Sequence, residues 1–103
     1  MKLADMKSHE AVLQEHLQDP AFRQEWERTG LARAVALQVV QYRADNRLSQ
    51  SALGRRLGMP QPAIARLEAG EHNPSVDTLM RLSKALGIEF HIDITPQSLA
   101  LSA

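Results

Sequence analysis

The sequence predicts a mainly α-helical domain that closes with one β-strand. Leu and Ala are abundant and aromatic residues make up only 4% of the 103 residues, a composition that favours helices over sheets. Gly58, Gly70 and Gly87 each follow a helix-like segment, as helix-ending residues do. Near the C-terminus, apolar residues alternate with charged ones, and this period of two indicates a strand with one buried face. A chain of this length forms one domain with a modest core.

Composition and charge exclude some kinds of site and suggest a kind of partner. The chain has no cysteine, so it forms no disulfide and no thiolate metal site, which fits a reducing compartment. No apolar run is long enough to span a membrane and the N-terminus lacks a signal-peptide core, so we expect a cytoplasmic protein. The net charge is zero, yet residues 43–84 hold seven Lys/Arg against four Asp/Glu. This basic middle indicates an anionic partner such as nucleic acid, unless it is ordinary variation in surface charge.

The first thirty residues predict a helical arm after a loose leader at residues 1–8. A short helix is expected over residues 9–17. A second begins at Asp19-Pro20, because aspartate accepts amide hydrogen bonds at a helix start and proline tolerates the first turn. The apolar side chains of the arm are Val12, Leu13, Leu17, Phe22 and Trp26, of which the last two share a helix face at i and i+4.

Four further helices and the strand follow the arm. A long helix is expected from about Leu31 to Asn46, after Thr29-Gly30 interrupts the arm. Shorter helices are expected over residues 50–57, 61–69 and 76–86, where serine caps the first and the last. The strand occupies residues 88–95 and ends at Pro96, with residues 96–103 as a tail. Its buried face carries Ile88, Phe90, Ile92 and Ile94.

The stretch LGMPQPAIARLE, residues 57–68, connects two of these helices tightly. Gly54 is small enough for two helices to touch at a steep angle, and Gly58 tolerates the positive φ that the connection needs. Pro60 and Pro62 set φ at the start of the next helix, where a missing N–H costs little. Because a residue before proline avoids helical φ and ψ, we expect Gln61 to begin the helix. The exposed start of that helix is then free to enter a groove.

At these residues the sequence resembles the helix-turn-helix family of phage repressors and their bacterial relatives, the XRE family. The resemblance covers residues 31–87 in register. Leu48-Ser49-Gln50 opens the second helix as in that family, Glu68-Ala69-Gly70 closes the third, and Asn73-Pro74-Ser75 starts the fourth. The resemblance implies a lambda-repressor-like DNA-binding domain at 31–87, with an arm at 1–30 before it and a dimerisation strand at 88–95 after it.

The same resemblance implies which residues contact DNA. Positions along the major groove are Gln61, Pro62, Ala63 and Arg66, where glutamine pairs well with adenine and arginine with guanine. Phosphate contacts are implied for a second group, namely Ser49, Gln50, Arg55, His72 and Asn73. Each member of this second group can instead be a capping, turn or solvated residue, so the prediction concerns the cluster.

The remaining candidate features are an ion pair in the family domain and two histidines in the arm. Arg43 and Glu68 resemble an ion pair that lies between the first and third helices of phage repressors, and removing one partner strands a charge. His9 and His16 lie seven residues apart and lack a third metal ligand nearby. Since no nucleophile–base pair or phosphate-binding loop stands out, we expect no enzymatic activity, no cofactor and no metal.

A second resemblance concerns the branch of the family. Gln61 to Arg66, QPAIAR, followed by an Ile-rich strand and preceded by a helical arm, is similar to the HigA branch of antitoxins. These antitoxins pair with a RelE-like ribonuclease toxin. The resemblance implies repression of the chain's own operon at a palindromic operator, with toxin binding by the arm residues Leu13, Leu17, Phe22 and Trp26. The alternatives are a solitary repressor without a toxin and a protein–protein adaptor with the same fold.

The sequence leaves two questions about the molecular surface open. In family register the long helix buries Val35, Val39 and Tyr42, which leaves Leu37 and Val40 off the core-facing side. The second helix of the arm covers them most simply, and a partner surface is the alternative. A single strand also leaves its backbone groups unpaired, so we expect it to pair antiparallel with the same strand of a second copy.

Overall fold

The computed structural model describes residues 8–102, which form six helices and two short strands. The predicted leader spans residues 1–8, of which residues 1–7 lie outside the described residues, as does Ala103, the last residue of the predicted tail. In chain order the elements are α1 (His9–Leu17), α2 (Pro20–Arg28), α3 (Gly30–Asn46), α4 (Gln50–Leu57), α5 (Gln61–Ala69), α6 (Val76–Leu86), β1 (Ile92–Ile94) and β2 (Leu99–Leu101).

Local signals set the helix ends. The Ser49 hydroxyl accepts a hydrogen bond from the Ala52 amide at 3.0 Å, and the Ser75 hydroxyl accepts one from Thr78 at 3.1 Å. Both bonds satisfy amides that have no partner within their helix. At the other ends, α4, α5 and α6 each stop at a glycine in the left-handed conformation. The predicted helix bounds are confirmed, and α3 begins at Gly30, one residue earlier than expected.

The core lies where α3, α4, α5 and α6 meet. Val39, Leu53, Ile64 and Leu82 have no exposed surface. Val35 and Val39 are buried and Tyr42 is half-buried, as the family register predicts for α3. The structure thus confirms a mainly α-helical fold with a helix-turn-helix domain. No helix of the described residues has the length and apolarity required to cross a membrane.

The arm, α1 and α2, joins this core at a narrow junction. Neither helix of the arm buries a single residue. Thr29 is the only residue between α2 and α3; its hydroxyl donates to the Glu25 carbonyl at 2.9 Å and accepts from Arg33 at 2.6 Å. The Asn73 side chain accepts from the Ala32 amide at 3.1 Å and donates to the Arg28 carbonyl at 3.3 Å. These bonds fix the junction beside the buried start of α3, where Leu31 and Ala32 enter the core. The residues that make these hydrogen bonds are Glu25, Arg28, Thr29, Ala32, Arg33 and Asn73.

The C-terminal region corrects the sequence prediction. The strand is restricted to Ile92–Ile94, so Ile88 and Phe90 precede it, and it pairs antiparallel with Leu99–Leu101. The expected tail at 96–103 therefore holds a second strand, and Ile94, predicted on the buried face of the strand, is exposed. The sequence does not indicate this second strand because it is too short. Three residues, of which the two leucines point inward, are too few to show a period of two. Phe90, Ile92, Leu99 and Leu101 pack against the core from outside.

Candidate nucleic-acid interface

The interface is built on the tight turn between α4 and α5. Gly58 has φ +66°, and its amide donates to the Arg55 carbonyl. The Met59 amide donates to the Gly54 carbonyl at 2.8 Å, which brings the turn back over α4. Gly54 is needed there because a Cβ at this position would lie 2.4 Å from the Met59 carbonyl oxygen. This close approach positions the start of α5.

The first turn of α5 shows how the two prolines are accommodated. Pro60 is the N-cap, with extended backbone and no side-chain capping bond. Its carbonyl accepts from the amides of Ala63 at 3.0 Å and Ile64 at 3.3 Å. Gln61 is the first helical residue, as predicted, and Pro62 is the second, where its missing N–H removes no helical bond. Gln61 and Pro62 are exposed, whereas Ile64 anchors the helix in the core.

A chain of hydrogen bonds links the core to the start of α5. Arg43 makes a two-point ion pair with Glu68, with both nitrogen–oxygen distances at 2.7 Å, and also donates to the Leu48 carbonyl at 3.1 Å. Gln50 donates from Nε2 to Glu68 at 3.3 Å. Gln61 then donates from Nε2 to the Gln50 Oε1 at 2.7 Å. Three helices, α3, α4 and α5, thereby share one polar network.

The network fixes the orientation of the Gln61 amide. The Glu68 carboxylate only accepts, so Gln50 turns its NH₂ toward Glu68 and its oxygen toward Gln61. Gln61 is consequently the donor in that bond. Its own Oε1 and its second N–H make no further hydrogen bond among residues 8–102, and the side chain is exposed. An acceptor and a donor side by side match the N6 and N7 edge of adenine in the major groove.

Arg66 supplies positive charge to the exposed surface of α5. It is exposed one turn after Pro62, and it borders a groove with Ala63 and His72. Within residues 8–102 its guanidinium makes no hydrogen bond or ion pair, and an unpaired guanidinium can bind guanine or phosphate. The four residues predicted to lie along the groove, Gln61, Pro62, Ala63 and Arg66, therefore all lie on α5, with Ala63 half-buried.

The predicted phosphate-contact residues are not equivalent. Arg55 and His72 are exposed beside the α4–α5 unit, and each can meet an anion. The Ser49 hydroxyl is used as the α4 cap, and the Gln50 side chain belongs to the polar network. The Asn73 side chain bonds the α2–α3 junction, where it supplies the capping bond that Thr29 does not make.

Two arginine contacts near the turn escaped the sequence prediction. Arg81, on α6, donates to the Gly58 carbonyl at 3.2 Å, and Arg56 donates to the Tyr42 hydroxyl at 3.1 Å. Both bring positive charge to the side of the molecule that carries the turn. Their place in sequence gives no signal for this, because each partner lies at least 14 residues away.

The ion pair in the network shifts the pKa of the Glu68 carboxyl. Arg43, which bonds the carboxylate directly, holds the pKa of Glu68 below its usual range, and the Gln50 bond adds to this against the opposing effect of burial. A carboxyl with a lowered folded-state pKa stabilises the protein above its unfolded-state pKa. That stability is lost as the pH falls through the lowered value.

We expect this loss to be visible in the melting temperature. The wild-type chain should lose stability as the pH falls from the ordinary titration range of a glutamate carboxyl through the lowered pKa of Glu68, and Glu68→Gln should be less stable at neutral pH but show a flatter profile over the same range. Thermal melts across the pH series measure both. Parallel profiles for the two proteins would contradict a role for Glu68 in acid unfolding.

Some of the arm residues that are predicted to bind a partner lie close together in the structure. The Phe22 and Trp26 rings stack at 6.1 Å, and the His16 ring lies 5.1 Å from Phe22. Arg33 of α3 lies over the Trp26 ring, 3.4 Å from its centroid, and burial lowers the pKa of this arginine. A cleft on the outer side of the arm is lined by His9, Glu10, Val12, Leu13, His16 and Trp26. Leu17 is half-buried in the arm.

One expectation about the arm is corrected. Leu37 and Val40 are not covered by α2, because their exposed fractions are 71% and 40%. Since a single residue joins α2 to α3, α2 leaves α3 at its first turn and Trp26 reaches only as far as Arg33. The two side chains lie instead in an open groove with Ala36 and Ala69.

Among residues 8–102, no group of three or more His, Asp or Glu side chains is placed to hold a metal ion. The surface with directed polar groups is the start of α5.

Comparison with known families agrees with this geometry. A family model described as Helix-turn-helix matches residues 39–92, which is just over half of the chain and includes α4, the turn, α5 and α6. Comparisons with curated proteins and with solved structures each gave no match.

Proposed function

We propose that this chain, which belongs to the XRE-type helix-turn-helix family, is a dimeric repressor that binds a palindromic operator and represses its own operon. The family assignment makes the chain a DNA-binding regulator of transcription. The proposal adds the dimer, the operator and the base contacts. It also assigns the chain a binding role without catalysis or cofactor.

The polar network from Arg43 to Gln61 carries this proposal. A surface glutamine normally rotates freely, whereas Gln61 is held by Gln50, which is held in turn by Glu68. Ordering a side chain before binding reduces the entropy lost on binding. An oriented amide at the exposed start of a helix supports the proposal that α5 enters the major groove with Gln61 on adenine and Arg66 on guanine.

Arg66→Ala is expected to relax sequence preference. Loss of a two-point pair with guanine removes about 1–3 kcal/mol of discrimination on the operator and little on scrambled DNA. Arg55→Ala is the matched control, because it removes an exposed cation of α4 that we assign to phosphate. It should weaken binding to both DNAs alike and reduce the salt slope by about 1.

The measurement is binding to a selected operator and to scrambled DNA over a salt series. Equal losses of Arg66→Ala on the two DNAs would refute its base contact. Unchanged affinity of all variants on every DNA would refute the assignment of α5 to the major groove.

The arm supports a more specific function, that of an antitoxin for a RelE-like or HigB-like ribonuclease. Its helices bury no residue, yet they carry a stacked aromatic pair and an apolar cleft. Residues 1–30 hold six Asp/Glu against four Lys/Arg. Ribonuclease toxins of this kind are typically basic, so the arm is complementary in charge and can speed encounter.

The uncovered groove beside α3 favours a partner as well. Leu37 and Val40 are apolar and exposed, and Arg33 connects their groove to Trp26 of the arm. Exposed apolar surface of this kind often marks a protein interface. The proposed toxin-binding surface is therefore the aromatic side of the arm, with Leu13, Leu17, Phe22 and Trp26, continued by this groove.

Two alternatives remain, and each has its own test. A solitary repressor has the same DNA-binding surface but no toxin-sized reading frame beside its gene. An adaptor that contacts transcription machinery through the same fold does not bind operator DNA. Inspection of the neighbouring gene separates the first alternative from the antitoxin, and a DNA-binding assay separates the second.

A further inference from the structure

The C-terminal hairpin leaves one edge of β1 open. Thr95 and Ser98 exchange both backbone hydrogen bonds, at 2.8 and 3.3 Å, and the Ser102 amide donates to the His91 carbonyl at 2.6 Å. Bonded pairs in an antiparallel ladder recur every second residue. Ile92 and Ile94 therefore direct their N–H and C=O groups away from β2. The sheet has two strands in the described part of the chain, so these four groups form an open edge.

Exposed apolar side chains surround this edge. Ile94 is 79% exposed, and on α6 Val76 is 71% and Met80 50% exposed. Val76 and Met80 line a groove with Phe90 and Ile92, which precede Ile94 on the same strand face. Three of the six large apolar side chains that are exposed among residues 8–102 thus lie on one side of the molecule.

We propose that β1 pairs antiparallel with β1 of a second copy, in the register that places Ile92 opposite the second copy's Ile92. The inference rests on the proposed dimer and adds its contact surface and register. In this register Ile92 exchanges backbone bonds with its counterpart across the two-fold axis. Phe90 faces the second copy's Ile94, and His91 faces the second copy's Asp93.

Side chains select this register over its neighbour. A register centred on Asp93 forms backbone bonds equally well, but it sets two aspartates directly opposite each other, which is destabilising. Centring on Ile92 instead gives two His91–Asp93 pairs, which bring a potential cation or hydrogen-bond donor to each carboxylate. It also brings Ile94 beside Phe90, at the groove that Val76 and Met80 line. The same dimer contact then covers the exposed apolar side chains of β1 and of α6.

Cysteine pairing tests the register, because the natural chain has no cysteine. His91 and Asp93 are exposed, so His91→Cys and Asp93→Cys leave the core intact. In the proposed register residue 91 opposes residue 93 with Cα atoms about 4.5 Å apart, within disulfide range. Like positions lie diagonally at about 7–8 Å, beyond that range. A mixture of the two full-length variants, tagged differently, should form a disulfide dimer on oxidation, whereas neither variant alone should.

Ile94→Ser tests the groove contact independently. Because Ile94 is exposed in the single chain, the change should leave the fold intact but weaken dimerisation by about tenfold or more in sedimentation equilibrium. Leu37→Ser is the matched control, since Leu37 is also exposed but lies on α3. It should leave the dimerisation constant unchanged.

The outcomes separate this inference from the dimer itself. Disulfide formation by Asp93→Cys alone would overturn the register. A wild-type dimer that neither forms a disulfide in the mixture nor responds to Ile94→Ser would overturn the surface and leave the dimeric repressor standing. A wild-type monomer at concentrations that saturate operator DNA would overturn the proposed dimer and this inference together.

Discussion

Gly54→Ala is expected to lower the free energy of unfolding by about 2 kcal/mol or more. A Cβ at Gly54 would lie 2.4 Å from the Met59 carbonyl oxygen and 3.5 Å from Cγ1 of Ile64. The carbonyl belongs to the backbone of the α4–α5 turn and is held by the adjacent Met59–Gly54 hydrogen bond of 2.8 Å. It cannot rotate away as a side chain does, so α5 has to shift. Urea unfolding measures the loss.

Gly30→Ala is the matched control, because it makes the same substitution in another helix. The nearest atoms to a Cβ at Gly30 lie at 3.8 Å, an ordinary contact distance. Alanine forms helix better than glycine by up to about 1 kcal/mol, so this variant should be unchanged or slightly more stable. Gly30 is the first residue of α3 and Gly54 lies inside α4, so helix propensity contributes differently at the two positions, but only Gly54→Ala adds a clash. Equal stability of the two variants would show that the α4–α5 crossing tolerates a side chain.

The helix boundaries could be predicted from the sequence because their signals are local. Ser75 is followed by a helix that stops at Gly87, and both residues act within three or four positions of themselves. The helix-turn-helix geometry follows from similar signals at Gly54 and Gly58. β2 was missed because its evidence lies in pairing with residues about seven positions earlier, not in its own three-residue pattern.

Local sequence patterns do not predict contacts between distant residues, and the Arg43–Glu68 pair is expected only from the family resemblance. Asn73 looks like a turn residue in sequence, yet its side chain bonds groups 41 and 45 residues away. Gln50 was assigned to phosphate from its place at a helix start, whereas its side chain lies between Glu68 and Gln61. The exposure of Leu37 depends on the direction in which α2 leaves α3, which no pattern in either helix encodes. Each case requires the tertiary arrangement.

Under the proposed antitoxin function, Trp26→Ala is expected to abolish neutralisation of a co-expressed RelE-like toxin while leaving the fold and operator affinity nearly unchanged. Trp26 is half-buried between Phe22 and Arg33, and α2 contributes no buried residue to the core. Its removal therefore deletes half-buried contacts within the arm and one contact to Arg33 of α3, and none in the core. At an interface, by contrast, a tryptophan anchor commonly carries 2 kcal/mol or more, which corresponds to about thirtyfold or more in affinity.

Gln61→Ala supplies the reciprocal control for this experiment. It removes the oriented amide at the start of α5, far along the chain from the arm, so it should weaken operator binding and leave neutralisation intact. The measurements are toxin affinity, growth rescue on co-expression, melting temperature and operator affinity for both variants. If the arm is only a structural cap, Trp26→Ala should lower the melting temperature first, and toxin binding should fall only in proportion to unfolding. That result would contradict the antitoxin proposal for the arm, because the stacked pair of Trp26 and Arg33 would then serve the fold alone.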